Sequence, residues 1–148
     1  MDVDLAAAIA SAVELVRPSF ERRLVAIAVD VPGALRGRAQ PDHVAQVLAN
    51  LLQNAVRYTP SHGTVTVTAA RRPGDIMVSV TNTGPSIPSA DLPHLFERFY
   101  RVEKSRDAAQ GGAGIGLAIV KRLVELGGGQ VGAESGADRT RFWFSLPA

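Results

Sequence analysis

Between residues 44 and 56 the apolar side chains Val44, Val47, Leu48, Leu51, Leu52, Ala55 and Val56 recur at intervals of three and four, and Pro60 closes the run. That spacing predicts an α-helix with one apolar face, and Pro41 and Asp42 suit its first turn. Such a helix cannot stand alone. Its stripe has to be covered, so the rest of the chain must supply a second layer.

The flanking segments supply it. Val25, Ile27, Val29 and Val31 alternate with smaller or polar residues up to Pro32-Gly33, and a short strand falls within Leu35 to Ala39. Val65, Val67 and Ala69 alternate with three threonines, and Ile76, Val78 and Val80 with Met77, Ser79 and Thr81. The residues between them, Arg71-Arg72-Pro73-Gly74-Asp75, are turn formers, which predicts a hairpin. Helical spacing returns from Leu5 to Phe20 and from Ile115 to Leu126, the latter ending at Gly127-Gly128-Gly129. Two closing strands are expected at Val131 to Glu134 and Thr140 to Leu146. Hairpin-linked strands interrupted by three helices predict an α+β fold: a two-layer sandwich with one mixed sheet covered on one face by the helices. The regular strand–helix alternation of a doubly wound sheet is missing.

Composition narrows the function classes. The 148 residues suit a single domain, and 46% hydrophobic against 20% charged residues is enough for a core without cross-links. With no cysteine, thiolate–zinc sites, iron–sulfur clusters, thiol nucleophiles and disulfide scaffolds are excluded together. Sixteen Lys and Arg against fourteen Asp and Glu leave a formal charge of +2, too little and too scattered to argue for a nucleic-acid partner. No run approaches the ~18 apolar residues of a membrane span, so no direct membrane contact is expected. The fourteen glycines and nine prolines are the unusual feature.

Three places carry candidate chemistry. In Gly112-Ala113-Gly114-Ile115-Gly116-Leu117, glycines open a helix, where free N–H groups and close backbone approach suit phosphate. It is neither a Rossmann fingerprint, since its third glycine comes one position early and no strand precedes it, nor a Walker A loop, since no Gly-Lys occurs. A plain loop with helix-start glycines is the bland alternative. On the central helix Asn50, Asn54 and Arg57 share the face opposite the apolar stripe, flanked by His43, Gln46 and Gln53. A solvated face normally carries Lys and Glu rather than neutral amides, and Asn is a poor helix former. An amide oxygen can ligate Mg²⁺ beside phosphate oxygens, and an arginine can neutralise phosphate. Third, Thr81-Asn82-Thr83-Gly84-Pro85-Ser86-Ile87-Pro88 reads as a polar turn leaving a strand, and Asn82 can accept from an exocyclic amine. From Gly84 to Ala113 no period is sustained, and so long a loop in a small domain is functional more often than not.

Taken in order, Asn-Leu-Leu-Gln-Asn-Ala-Val-Arg-Tyr (50–58), Asn-Thr-Gly (82–84), Phe-Glu-Arg-Phe-Tyr-Arg (96–101) and Gly-Ala-Gly-Ile-Gly-Leu (112–117) resemble the N, G1, F and G2 boxes of the catalytic, ATP-binding domain of sensor histidine kinases, relatives of DNA gyrase, Hsp90 and MutL. The resemblance covers essentially residues 1–148 as one catalytic domain. It implies a Bergerat-type ATP-binding fold with an ATP lid at approximately residues 85–113, and ATP and Mg²⁺ as cofactors. It makes Asn54 the Mg²⁺ ligand with Asn50 nearby, places Arg57 at a phosphate-contacting position usually held by Lys, and packs Tyr58 against adenine. Arg101 would reach the γ-phosphate, so that Asn54, Arg57 and Arg101 form the catalytic set. Gly112, Gly114, Ile115, Gly116 and Leu117 would line the triphosphate, and Gly84 the adenine-side turn. Two departures fall in one block: Asn82 stands where the family has an adenine-reading Asp, and Ser86 replaces a glycine.

Neither His43, His62 nor His94 is followed by the acceptor pattern of these kinases, so the chain is expected to lack its own phosphoacceptor. The implied partners are a histidine-bearing dimerisation domain and, downstream, a response regulator. The implied setting is the cytoplasmic side of a membrane-anchored sensor kinase. The competing readings are a serine kinase of the anti-sigma-factor type, against which the Phe-Glu-Arg-Phe-Tyr-Arg block argues, and a non-catalytic nucleotide-binding module.

Overall fold

In the computed structural model, which describes residues 1–98, 100 and 116–148, the elements in chain order are β1 (Asp2–Asp4), α1 (Leu5–Arg22), β2 (Ala26–Asp30), β3 (Arg36–Arg38), α2 (Pro41–Tyr58), β4 (Thr64–Arg72), β5 (Asp75–Thr83), α3 (Gly116–Leu126), β6 (Val131–Gly136) and β7 (Arg139–Pro147). The predicted apolar stripe is the buried face of α2, all seven residues included. Pro41 opens this helix, where its missing N–H costs nothing. Thr59 leaves it in an extended conformation, with its hydroxyl donating to the Ala55 carbonyl at 2.5 Å. His43 lies inside its first turn.

Five strands form one mixed sheet in the order β2-β4-β5-β7-β6. Only β2 and β4 are parallel; the connection between them carries β3 and α2 over one face. The β4–β5 hairpin turns on Pro73-Gly74, with Arg72 opposite Asp75 and their side chains paired at 2.7 Å. The alternation read from the sequence puts Val65, Val67, Ile76, Val78, Val80, Phe142 and Phe144 in the core. On this face α2 lies between α1 and α3. Each fully buried Leu or Val contributes roughly 1.5–3 kcal/mol, so the α2 stripe alone commits the helix to the sheet.

The α+β sandwich is as expected, with one addition. β1 was not anticipated, and β3 pairs with it in a separate two-stranded ribbon, Val3 opposite Gly37. Three-residue strands have no period to read; this pair is held by its ends, Leu5 N–H donating to Leu35 and Ala39 N–H to Met1, both at 3.0 Å. α1 also continues through Pro18, because Val16 and Phe20 on either side are buried. Where α3 turns back into β6, a Cβ on Gly129 would lie 1.9 Å from the Ser145 carbonyl oxygen, so only glycine lets this connection rest on β7.

Candidate functional site

The second half of α2 carries the polar face, and two other segments meet it. Asn50, Asn54 and Arg57 are half-buried there, and Tyr58 is 46% exposed at the helix end. Asn50 Nδ2 donates to the Gly116 carbonyl at 3.1 Å, joining α2 to the first residue of α3. At the other end Gly84, with φ +134°, turns away from β5 directly against Pro60 and 3.8 Å from the Tyr58 carbonyl, measured from where its Cβ would lie. A side chain there would be strained and would strike Pro60 Cδ. The middle and end of α2, the end of β5 and the start of α3 therefore bound one cleft.

Asn82 is the buried polar group of this cleft. It belongs to β5 and not to the turn that the sequence suggested, because the ladder runs on through it, opposite Val65 on one side and Thr140 on the other. It is 6% exposed. Its Nδ2 donates to the Thr83 carbonyl at 3.1 Å, and no donor among the described residues meets Oδ1. A buried acceptor without a partner costs about 1–3 kcal/mol, and the exocyclic amine of adenine would satisfy it.

Asn54 makes no hydrogen bond among the described residues, and the Arg57 guanidinium has no ion-pair partner there. The Arg57 carbonyl accepts from Arg23 Nη2 at 3.2 Å, which fixes the backbone of that turn. No cluster of three His, Cys, Asp or Glu occurs among the described residues. A cation here would take amide and phosphate oxygens, a donor set that suits Mg²⁺ and not a transition metal. Leu117 is partly buried against the core rather than displayed in the cleft. Arg101, Gly112, Gly114 and Ile115 lie outside the described residues.

Of residues 85–113, those from 85 to 98 and Tyr100 are described. Ile87 N–H donates to Ser135 Oγ at 2.7 Å, Leu95 is buried, and Phe96 meets Phe142 edge-on at 6.1 Å. A short 3₁₀ turn, Leu92–His94, places His94 against Glu97 at 2.7 Å and stacks it on Tyr100. The Tyr100 hydroxyl donates to the Asp91 carboxylate, and this bond pushes the phenol pKa up. Phe96 of the third block is thus packed on β7, and Ile87 ahead of it is tied to β6, which the aperiodic sequence did not disclose.

The family model of histidine kinase-, DNA gyrase B- and HSP90-like ATPases matches residues 39–148, from just ahead of α2 to the end of β7. The chain belongs to this ATPase family. Sensor protein VanS of Enterococcus faecium is 38% identical over 120 residues, covering 81% of this chain and 31% of VanS. The nucleotide-free catalytic domain of histidine kinase ThkA superposes with a TM-score of 0.88 at 26% identity, covering 99% of this chain and 94% of that one. ThkA has also been solved in complex with the response regulator protein TrrA, where the TM-score is 0.84 at 25% identity and the match covers 99% of this chain and 41% of that one. Full-length ShkA in complex with AMPPNP gives 0.82 at 33% identity, over 99% of this chain and 30% of ShkA. The chain spans about a third of the length of the curated relatives it matches first. Its sandwich of three helices on a five-stranded mixed sheet is the fold of histidine kinase catalytic domains.

Proposed function

We propose that this chain binds ATP with Mg²⁺ in the cleft between α2, the end of β5 and the start of α3, and donates the γ-phosphoryl group to a histidine on a separate dimerisation domain. One observation carries the adenine assignment: Asn82, buried and half-satisfied, leaves Oδ1 available to an exocyclic amine. The ATP-analogue complex of ShkA, a relative at 33% identity, supports a nucleotide here. The response-regulator complex of ThkA supports a response regulator as the downstream partner. The names of the relatives support a parent sensor kinase, in which we place this domain on the cytoplasmic side. Among the described residues no helix is long and apolar enough to cross a membrane.

Phosphoryl transfer asks a protein for position and charge neutralisation more than for covalent chemistry. Asn82 fixes the base, and Tyr58 offers a ring beside it. The Gly84 turn lets the backbone pass close to the nucleotide. The Arg57 guanidinium neutralises phosphate; Asn50 and Asn54 face the same region, and the α3 N-terminus adds free N–H groups. Gly112, Gly114, Ile115, Gly116 and the backbone N–H of Leu117, whose side chain packs on the core, line the triphosphate in this reading, and Arg101 reaches the γ-phosphate. Mg²⁺, held by Asn54, would neutralise charge on the phosphate oxygens when bound. The bond from the γ-phosphorus to its bridging oxygen breaks, a phosphorus–nitrogen bond forms on the acceptor imidazole, and ADP leaves.

The test uses this chain with labelled ATP and a histidine-bearing dimerisation domain, supplied separately and also fused ahead of Met1. Acid-labile phosphohistidine on that domain is the expected product. Binding without transfer would favour the non-catalytic module, and acid-stable phosphoserine on an anti-anti-sigma protein the serine kinase. No binding at all would remove the nucleotide assignment.

A further inference from the structure

We infer that Gln46 is a positioning residue for the phosphate end of the cleft, acting through Asn50 on the start of α3. This rests on the reading of the cleft as an ATP site. Gln46 is exposed, one turn ahead of Asn50 on the same face of α2, and its Nε2 donates to Asn50 Oδ1 at 2.6 Å. Asn50 Nδ2 in turn donates to the Gly116 carbonyl at 3.1 Å. The three groups form a single chain of polarity. The Gly116 carbonyl only accepts, so it requires the NH₂ end of Asn50; that turns Oδ1 toward Gln46, which must then present its own NH₂.

An amide has two nearly isosteric ends, and nothing in the shape of Asn50 decides which faces α3. The Gly116 carbonyl selects the NH₂ end, and Gln46 holds the amide there by donating to Oδ1. Without that donor Asn50 is fixed at one end alone, and its bond to the Gly116 carbonyl loosens. Gly116 is the first residue of α3, and its carbonyl belongs to the turn whose N–H groups point toward bound phosphate. The latch is made by the backbone and not by tight packing, since a Cβ on Gly116 would still sit 3.9 Å from Asn50 Nδ2. Gln46 thereby sets the gap between two walls of the triphosphate site without touching nucleotide. It would do nothing to the adenine end, which is built from β5 and its turn.

That asymmetry supplies the test. In Gln46→Met, length is kept, no charge is added near phosphate, and the donor is lost. Calorimetry with ATP and Mg²⁺ should give a Kd weaker by about three- to tenfold, the range one hydrogen bond commands. Adenosine, which has no phosphate, should bind with the affinity of the unaltered chain in a competition assay. Gln53→Met, an exposed glutamine on the same helix with no hydrogen bond among the described residues, should leave both affinities unchanged. An equal loss of ATP and adenosine binding would make Gln46 merely structural and overturn the inference. So would unchanged ATP affinity in Gln46→Met, or a matching loss in Gln53→Met. If the unaltered chain binds neither ligand, the ATP reading itself fails.

Discussion

At the scale of single residues, the cleft is defined by polar groups left incomplete. Asn54 is half-buried and has no hydrogen-bond partner among the described residues, so its amide does no structural work that a truncation would undo. Asn54→Ala should keep the far-ultraviolet circular dichroism and the melting temperature of the parent. Calorimetry should show its Mg²⁺-dependent ATP binding abolished; unchanged affinity would remove the metal assignment. Asn82 is a different case, because its two ends have opposite fates. In Asn82→Asp the new carboxylate is a charged acceptor for adenine, roughly twice as strong as a neutral one. It also loses the donor to the Thr83 carbonyl and buries an acid beside it. ATP affinity should therefore rise about three- to tenfold near neutral pH, while the nucleotide-free protein loses about 1–3 kcal/mol of stability. The gain needs the ionised form, so it should be present above the carboxylate pKa and vanish as pH falls through it. Adenine recognition by Asn82 itself has no proton to gain and should stay flat across that window. A titration series in acid buffers separates the two, and a looser complex for Asn82→Asp at neutral pH would mean that the amide fits better here.

At the scale of elements, what could be read from the sequence was what repeats. The stripe of α2, the β4–β5 hairpin and the closing strands are periodic, and each is where its period put it within a residue or two at the ends, except that β4 runs three residues past Ala69 to Arg72 and narrows the turn to Pro73-Gly74. The Asp2–Asp4 strand and its partner Arg36–Arg38 are three residues each, too short for alternation, and their pairing is a tertiary fact. Asn82 was assigned to a turn because its neighbours are turn formers, yet β4 and β7 flank it on both sides and hold it in the ladder. The site followed the same division. Shared faces on α2 were legible, but the bond from Asn50 to Gly116 joins residues 66 apart and has no local signal. Glycines show this limit well, since one letter covers different reasons. At Gly129 the reason is a neighbouring backbone oxygen that cannot move aside. Gly129→Ala should push the α3–β6 connection off β7 and cost about 3 kcal/mol or more. Denaturant unfolding would read this as a lower midpoint; a midpoint shifted by less than the scatter of replicate titrations would mean that the connection yields more easily than its geometry implies.

At the scale of the whole molecule, the cleft brings together three elements that are distant in sequence. α2 is fixed by its buried stripe, β5 by strands on both sides, and α3 meets α2's polar face through the Asn50–Gly116 bond. A ligand that touches all three binds the folded state and has no site on the unfolded chain, so it must raise global stability and not only local order. At a free concentration one hundred times its Kd, ATP with Mg²⁺ contributes about 2.7 kcal/mol by mass action. For a domain of this size that corresponds to a melting temperature higher by about 5–10 °C. Because the proposed cation site is an amide and phosphate oxygens, the metal alone should add almost nothing. Chelating it in the presence of ATP should remove most of the rise. In Asn54→Ala the rise should shrink to what ATP gives under chelation, while Asn82→Asp should start from a lower melting temperature and gain more. Calorimetric scans of the three proteins, each with and without ATP and chelator, place these shifts on one scale. A Mg²⁺-independent rise of full size would move the weight of binding from the metal to Arg57 and the adenine end.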